Sequence, residues 1–376
     1  MRSLSSLKVN LKHLENNLEL IHILAGTGKK LLPMLKAQAY GHGALPVAKK
    51  ILSSCMDRKH ILEGFGFATL FEAYAMREQL QQCPVPLYVF SELALCEKKE
   101  WYEQWGFIPV LSHKDDLQFF LSEKIFAHVP LVLKFNSGMN RLGFNPEEQD
   151  DILALLKKYH RRTIYHLMSH FACSYIHSHL SVEKQQQVME KIKENFYKAH
   201  ISIEHFSFSN SGAIEQKIKV LDETVVRPGL MLYGPRSVDR NFSFWKGKII
   251  SQWETTIIDV RTLKKGESFG YGLTAAPEDG VLLILPLGYA DGIQFGFNGF
   301  SLKHEGVDLR FFARPNMDLC YLWTTNSIAL QWKNKKLALW NHENDNLQLL
   351  SDHNQTITYQ ILTAISSRVP RDYVLE

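Results

Sequence analysis

Five short stretches carry the side chains best able to do chemistry. Lys36 closes an apolar run and is followed by Ala37-Gln38-Ala39-Tyr40-Gly41-His42-Gly43. Lys134 closes another and leads to Arg141. Further runs lead to His170, to Asn210-Ser211 and to Arg227-Pro228-Gly229-Leu230. An amine desolvated among cations keeps enough neutral form to condense with a carbonyl as a Schiff base. Tyr40 and the Gly41-His42-Gly43 turn suit the start of a helix beside an anion. Small residues and backbone N–H groups at Asn210-Ser211-Gly212 and Arg227-Pro228-Gly229 suit a phosphate group. A Schiff-base lysine, a phosphate cradle and arginines for a ring together describe a pyridoxal phosphate site. Each part also has a plain alternative. A lone strand-end lysine commonly snorkels to the rim, and a Ser-Gly pair is commonly only a turn.

The elements that must position these residues are legible as alternation. Eight β-like runs read Leu31–Leu35, Phe65–Thr69, Pro86–Phe90, Phe107–Leu111, Val129–Phe135, Ile164–Met168, His205–Ser209 and Val225–Arg227. Helix-like segments intervene at Leu45–Ser54, Leu70–Leu80, Glu147–Lys158 and Ser181–His200, with Leu11–Leu24 ahead of the first run. Eight runs separated by helices predict an α/β fold, a closed (β/α)8 TIM-like barrel with its chemistry at the C-terminal strand ends. An open doubly wound sheet is the alternative, but no GxGxxG follows the first run. Near Gly234-Pro235 the texture changes to β-rich runs: Ile249–Val260, Gly280–Leu287, Asp308–Phe312, Ser327–Trp332 and Lys336–Trp340. This predicts a barrel domain over 1–238 and a mostly β C-terminal domain over 239–376.

Composition narrows the class. The 376 residues are 45% hydrophobic and 22% charged, with a formal charge of +4 and no basic clustering, so a nucleic-acid partner is not expected. No apolar stretch is long enough to span a bilayer. The N-terminus lacks a signal-peptide pattern, which predicts a cytoplasmic protein. Five scattered cysteines without a CxxC pair argue against a disulfide framework or zinc ribbon.

Nine motifs, in order along the chain, give a family resemblance. Leu35–Gly43 resembles the pyridoxal-phosphate lysine motif of alanine racemases. The likeness continues through Leu133–Gly143, Ser169–Ala172, Asn210-Ser211, Val226–Gly234, Gly270-Tyr271-Gly272, Pro286–Gly292, Asn316-Met317-Asp318 and Arg368–Arg371. The resemblance implies a barrel followed by a β domain, a pyridoxal 5'-phosphate cofactor, and a homodimer whose active sites are shared between subunits. Lys36 would carry the cofactor and act as one acid/base group, with Tyr271 of the partner chain as the other, assisted by His170. Arg227 would face the pyridine nitrogen and Arg141 the phenolate oxygen. Tyr40, Asn210, Ser211, Gly229 and Leu230 would line the cofactor, mainly at its phosphate. Arg141, Met317, Asp318 and Tyr289 would meet the amino-acid substrate, and Lys134 matches a lysine that can be carbamylated. No metal is implied. The implied role is supply of D-alanine for peptidoglycan.

Several positions depart from the family pattern. Gln38 and Asn136 stand where Asn and Asp are common, and Asn140 replaces a Gly. Ser207 stands where many members have a His near the arginine, and Asn316 replaces a Cys. Ser367 stands where some members have Tyr, which implies a wider pocket. Other readings are a racemase of another or broader set of amino acids, and a fold-related pyridoxal-phosphate decarboxylase. A cofactor carrier without activity would need only the barrel. A metal-dependent hydrolase built on His166, His170, His177 and His179 is disfavoured. His166 and His170 would lie roughly 13 Å apart along a strand.

Overall fold

The run Phe65–Thr69 shows how local sequence starts and stops an element. Phe65 and Phe67 are buried, and Thr69 ends the strand by capping helix Leu70–Gln79. Thr69 Oγ1 accepts the Glu72 N–H at 3.1 Å, and Glu72 Oε2 accepts the Thr69 N–H at 3.3 Å. This reciprocal cap satisfies donors that the first helical turn otherwise leaves open. The computed structural model describes residues 3–26, 28–55 and 61–375. The described residues form two compact units, one drawn from 14–39 and 44–247 and the other from 3–13, 40–43 and 248–375.

Strand β1 (Ser5–Asn10) belongs to the second unit. The first unit holds β2 (Lys30–Leu31), β3 (Phe65–Thr69), β4 (Leu87–Glu92), β5 (Phe107–Leu111), β6 (Val132–Lys134), β7 (Thr163–Met168), β8 (Ser202–Ser207) and β9 (Val225–Val226). Strands β3 to β8 form one parallel sheet in sequential order, and β2 pairs parallel with β9. Single bonds close the ring between these two sheets. Glu63 N–H donates to Leu31 O and Gly66 N–H to Pro33 O on one side; Thr224 N–H donates to Phe206 O and Arg227 N–H to Ser209 O on the other. The expected eight-stranded barrel is present. Its first strand is shorter than the Leu31–Leu35 run, because Pro33 has no N–H for a ladder. Leu32, Ile108, Val110, Val132, Met168 and Val225 pack in one buried cluster, each worth roughly 1.5–3 kcal/mol for a large aliphatic side chain. Among the described residues no helix is long and apolar enough to cross a membrane.

The second unit holds β10 (Ser251–Thr256), β11 (Asp259–Leu263), β12 (Ser268–Phe269), β13 (Thr274–Ala275), β14 (Gly280–Leu285), β15 (Ser301–His304), β16 (Val307–Phe311), β17 (Cys320–Thr324), β18 (Lys336–Trp340) and β19 (Arg371–Val374). One sheet runs β18-β10-β1-β19 and another β11-β14-β17-β16-β15. The expected single run Ile249–Val260 is two strands in different sheets. At the break, Ile257 N–H donates to Lys335 O and Ile258 N–H to Ile284 O, so adjacent amides serve different sheets. The expected strand Ser327–Trp332 is instead a 3-10 turn, Ser327–Gln331. Asn326 Oδ1 caps it at the Ile328 N–H, and burial recurs every third residue at Ala329 and Trp332. Helices Asn346–His353 and Thr358–Thr363 follow the last of the expected β runs, in the domain expected to be mostly β.

Gly41 illustrates a backbone requirement in this unit. Its φ is +86°, and an added Cβ would lie 2.3 Å from Leu362 O. Arg371 Nε donates to Gly41 O at 2.9 Å. Gly41→Ala is expected to cost about 2 kcal/mol or more. A thermal unfolding midpoint unchanged from the parent would contradict this.

Candidate active site

Lys36 is set by hydrogen bonds on both sides of the chain that precedes it. Met34 N–H donates to Pro228 O at 3.0 Å and Leu35 N–H to Gly66 O at 2.8 Å, while Tyr233 Oη donates to Met34 O at 2.7 Å. The chain then passes through Ala37, Gln38, Ala39 and Tyr40 with φ between 51° and 55°. Left-handed turns cost about 1–2 kcal/mol for each residue with a Cβ, so neighbouring contacts must impose this one. Glu72 Oε1 accepts the Ala37 N–H at 2.7 Å, and Gln38 Oε1 accepts the Ala44 N–H at 3.3 Å. Burial and the Arg141 charge lower the proton affinity of the Lys36 amine, against the pull of Glu72.

Other cations converge from neighbouring strand ends of the same unit. Lys134 ends β6 and is buried; burial, then Arg141, Arg227 and Lys36, bring its pKa down to about 8. Arg227 follows β9, and burial pulls its guanidinium to about 10, with Glu223 opposing and Arg141 adding, so it stays a cation at neutral pH. Its Nη1 donates to Ser207 Oγ and its Nη2 to Ser169 O. Nη2 also lies 3.4 Å from His170 Nδ1. Burial and then Arg227, Arg141, Lys134 and Lys36 hold His170 far below the usual histidine range, so its ring is neutral. Gln185 Nε2 donates to His170 O at 3.0 Å and to Ser137 Oγ at 3.1 Å.

Asn210 caps the short turn Ser211–Glu215 through the Ala213 N–H, and its Nδ2 lies 3.4 Å from His170 Nε2. Ser211 Oγ accepts the N–H groups of Gly229 at 3.0 Å and Met231 at 3.4 Å. With its lone pairs so used, this hydroxyl has its proton to give to an acceptor. Leu230 starts the 3-10 turn that follows Gly229. The nearby carboxylates are already engaged. Glu72 serves backbone N–H groups; Glu223 holds Lys29 at 2.7 Å and the Phe208 and Ser209 amides. The cluster therefore carries net positive charge, only partly offset by Glu72 and Glu223, and suits a multiply anionic ligand.

The departures near Lys134 explain one another. Asn136 Nδ2 donates to Asn140 Oδ1 at 2.8 Å and to Asn145 Oδ1 at 3.0 Å, while Asn136 Oδ1 accepts the Asn140 N–H at 2.9 Å. Asn140 has φ 55°, a conformation that Asn tolerates better than most residues.

The second unit gathers the other expected residues. Tyr271, Tyr289, Met317 and Asp318 line one surface depression, with Tyr271 72% exposed on the turn between β12 and β13. Arg368 holds Asp318 in place. Its Nη2 donates to Asp318 Oδ1 at 2.8 Å and its Nε meets Asp291 Oδ1 at 3.1 Å. Asp291 Oδ2 accepts the Gly288 N–H at 2.8 Å. An added Cβ at Gly288 would lie 2.1 Å from Met317 O, so only glycine fits there. Tyr40 is also in this unit, buried, with its ring 5.7 Å from that of Tyr359. His177 stacks on Phe242 at 4.1 Å, and His179 Nδ1 lies 2.8 Å from Ser181 Oγ. Spacing alone assigns no role to Glu72, Ser169, Gln185, Glu223, Asp291 or Arg368. Ser169, Asp291 and Arg368 lie inside the matched motifs, which is the only signal that points to them.

Comparisons with known proteins agree along the whole chain. The family model for the alanine racemase N-terminal domain matches residues 9–237, and that for the C-terminal domain matches residues 250–373. An alanine racemase of Shewanella piezotolerans is 29% identical over 98% of this chain and 99% of its own length. One from Halothermothrix orenii is 26% identical, covering 97% and 96%. The solved structure of alanine racemase from Acinetobacter baumannii superposes with a TM-score of 0.81 at 27% identity, covering both chains completely.

Two outcomes follow from the site's own geometry. Asn140→Ala is expected to lose about 1 kcal/mol, and Asn140→Gly clearly less, in matched denaturant titrations. The second concerns Lys134, which loses its proton near 8 when folded and near 10.5 when unfolded. Between those values the unfolded chain binds more protons, so stability contributed through this group rises with pH, by about 3 kcal/mol at most. In buffer free of carbon dioxide, Lys134→Met should raise the apoprotein Tm at pH 7 and narrow its lead as pH climbs to 10.5. Parallel profiles for parent and variant would contradict this assignment.

Proposed function

The chain belongs to the alanine racemase family, and on that premise we propose that it interconverts L-alanine and D-alanine as a pyridoxal-phosphate-dependent isomerase. The observation that carries this reading is the Lys36 amine, depressed by burial at a barrel strand end among Lys134, Arg141 and Arg227. Pyridoxal phosphate, when bound, supplies the electron sink that makes an amino-acid α-proton removable. By family resemblance, Lys36 would hold its carbonyl carbon. Ser211, the Gly229-Leu230 turn and Tyr40 would hold its phosphate. Arg141 would serve its phenolate oxygen and Arg227 its ring nitrogen. An arginine in that role would keep its proton and so limit how much charge the ring draws from the substrate.

Racemisation needs a proton removed from one face of the α-carbon and another delivered to the opposite face. Lys36 Nζ serves one face, and Tyr271 Oη, supplied by a second copy of the chain in a homodimer, serves the other. The exposure of Tyr271 at a turn tip fits a residue offered to a partner. His170, neutral and held by Arg227 and Asn210, assists that tyrosine. Met317 and Asp318, supplied by the second copy, line the substrate carboxylate pocket, with Asp318 held by Arg368, and Tyr289 narrows the entrance. Lys134, as a neutral amine, adds to carbon dioxide. A nitrogen–carbon bond forms, a proton leaves, and the resulting carbamate attracts the Arg141 that the ammonium repels. We further propose a cytoplasmic enzyme supplying D-alanine for peptidoglycan.

The test is proton exchange in heavy water. The protein is loaded with pyridoxal phosphate and given a panel of L-amino acids, and α-deuterium and the D/L ratio are followed together. Deuterated D-alanine is expected, with alanine ranking first. Exchange without inversion would remove Tyr271 from its role, and no exchange would overturn the reading. Tyr271→Phe should lose at least about 100-fold in kcat while keeping the colour of the bound cofactor.

A further inference from the structure

Beneath the strand ends, the barrel bore holds a line of polar side chains that the mechanism above does not use. Ser207 and His166 are fully buried, as is Tyr88, and Glu63 is 3% exposed. Arg227 Nη1 donates to Ser207 Oγ. Ser207 Oγ lies 2.8 Å from His166 Nε2, and His166 Nδ1 lies 3.4 Å from Tyr88 Oη. Tyr88 Oη donates to Glu63 Oε1 at 2.7 Å, where Tyr165 Oη also donates at 2.6 Å. Lys30 Nζ closes the line at Glu63 Oε2, 2.9 Å away. Lys30 opens β2 and Glu63 precedes β3, so the line ends at the face of the barrel opposite the strand ends that carry Lys36 and Arg227.

The two ends fix the direction of every bond between them. A guanidinium only donates, so Ser207 accepts from it and turns its own proton toward His166 Nε2. His166 then carries its proton on Nδ1, facing Tyr88, whose hydroxyl proton goes to Glu63. Cation and carboxylate are thus joined head to tail through three neutral groups, and hydrogen bonds in such a chain polarise one another. Burial and the Arg227, His205 and Lys30 charges keep His166 neutral, as the chain requires. Burial opposes charge on Glu63, but bonds from Tyr165, Lys30 and Tyr88 outweigh it and hold the carboxylate ionised.

We propose that Ser207, His166 and Tyr88 form a relay that orients the Arg227 guanidinium and draws part of its field toward Glu63. His166 and Tyr88 are then positioning residues for the active site. The proposal rests on the reading that Arg227 faces the cofactor ring. Other groups also act on Arg227: the Ser169 and Phe208 carbonyls and His170 through Nη2, and Glu223, Arg141 and Lys134 through their charges. None of them replaces the Ser207 acceptor. The relay also accounts for the serine at position 207, where a histidine near the arginine is common. The imidazole is supplied instead by His166 on the neighbouring strand β7.

The test has one arm on the apoprotein and one on the loaded protein. In apoprotein labelled with 15N-histidine, His166 is expected as the neutral Nδ1–H tautomer, and both Ser207→Ala and Tyr88→Phe should move its ring-nitrogen shifts. An Nε2–H tautomer, or a charged ring at neutral pH, overturns the relay. In the loaded protein, the pH midpoint of the cofactor's visible absorbance is followed. Cutting the relay leaves more positive field at the site, so both variants should lower the midpoint by about half a pH unit. Ser207→Thr, which keeps the hydroxyl, should restore it. The double variant should shift little further than either single one, because the two sites act in series. Midpoints unchanged in both single variants, with the cofactor bound, overturn the tuning role. If the parent chain binds no pyridoxal phosphate, the cofactor reading falls and the tuning role falls with it. The His166 tautomer in the apoprotein still decides whether the relay itself exists.

Discussion

Burial of the Arg227 guanidinium is the constraint to which the rest of the barrel interior answers. A buried cation is tolerable only when hydrogen-bonded and offset by charge nearby. Here Ser207, the Ser169 carbonyl and the Phe208 carbonyl accept its donors, and Glu223 supplies the opposing charge. Those acceptors sit at the ends of neighbouring strands, so their geometry depends on the sheet register from β7 to β9. Ser169 is itself held by Ser137 at 2.8 Å, and Ser137 by Gln185 from helix Ser181–Lys198. Strand, loop and helix are thus tied to one side chain.

The same logic covers Lys36. Four left-handed residues in succession are unfavourable, and the fold secures them with contacts drawn from distant parts of the sequence. Glu72 both caps its own helix and accepts the Ala37 N–H. Pro228 and Gly66 hold the residues just before the lysine. The strain is thereby localised next to the Lys36 amine of the proposed site.

The second unit solves a different problem. Its candidate side chains sit on exposed turns, where little packing would hold them. Rigidity comes from below: Gly288 and Gly292 allow close backbone approach, and Arg368 pins Asp318 to Asp291. Tyr271, Tyr289 and Met317 remain exposed on that supported surface, as side chains meant for another molecule would be.

Much of this was legible in the residues alone. The alternation of apolar runs and amphipathic helices specified the barrel, because the two periodicities bury different faces and can be told apart in a long series. Motif order by itself located Lys36, Lys134, Arg141, His170, Asn210, Ser211 and Arg227, and the structure brings these into one unit. Tertiary structure alone decided what surrounds them. No local pattern tells that His166 lies beside Ser207, that Glu72 reaches Ala37, or that Asn136 and Asn140 pair. These contacts join residues far apart in sequence or in a loop of unusual φ, and hydrogen-bond partners of that kind are selected by strand register and side-chain direction. The split of Ile249–Val260 between two sheets has the same cause. An apolar run states that a segment will be buried, but only its neighbours determine against what.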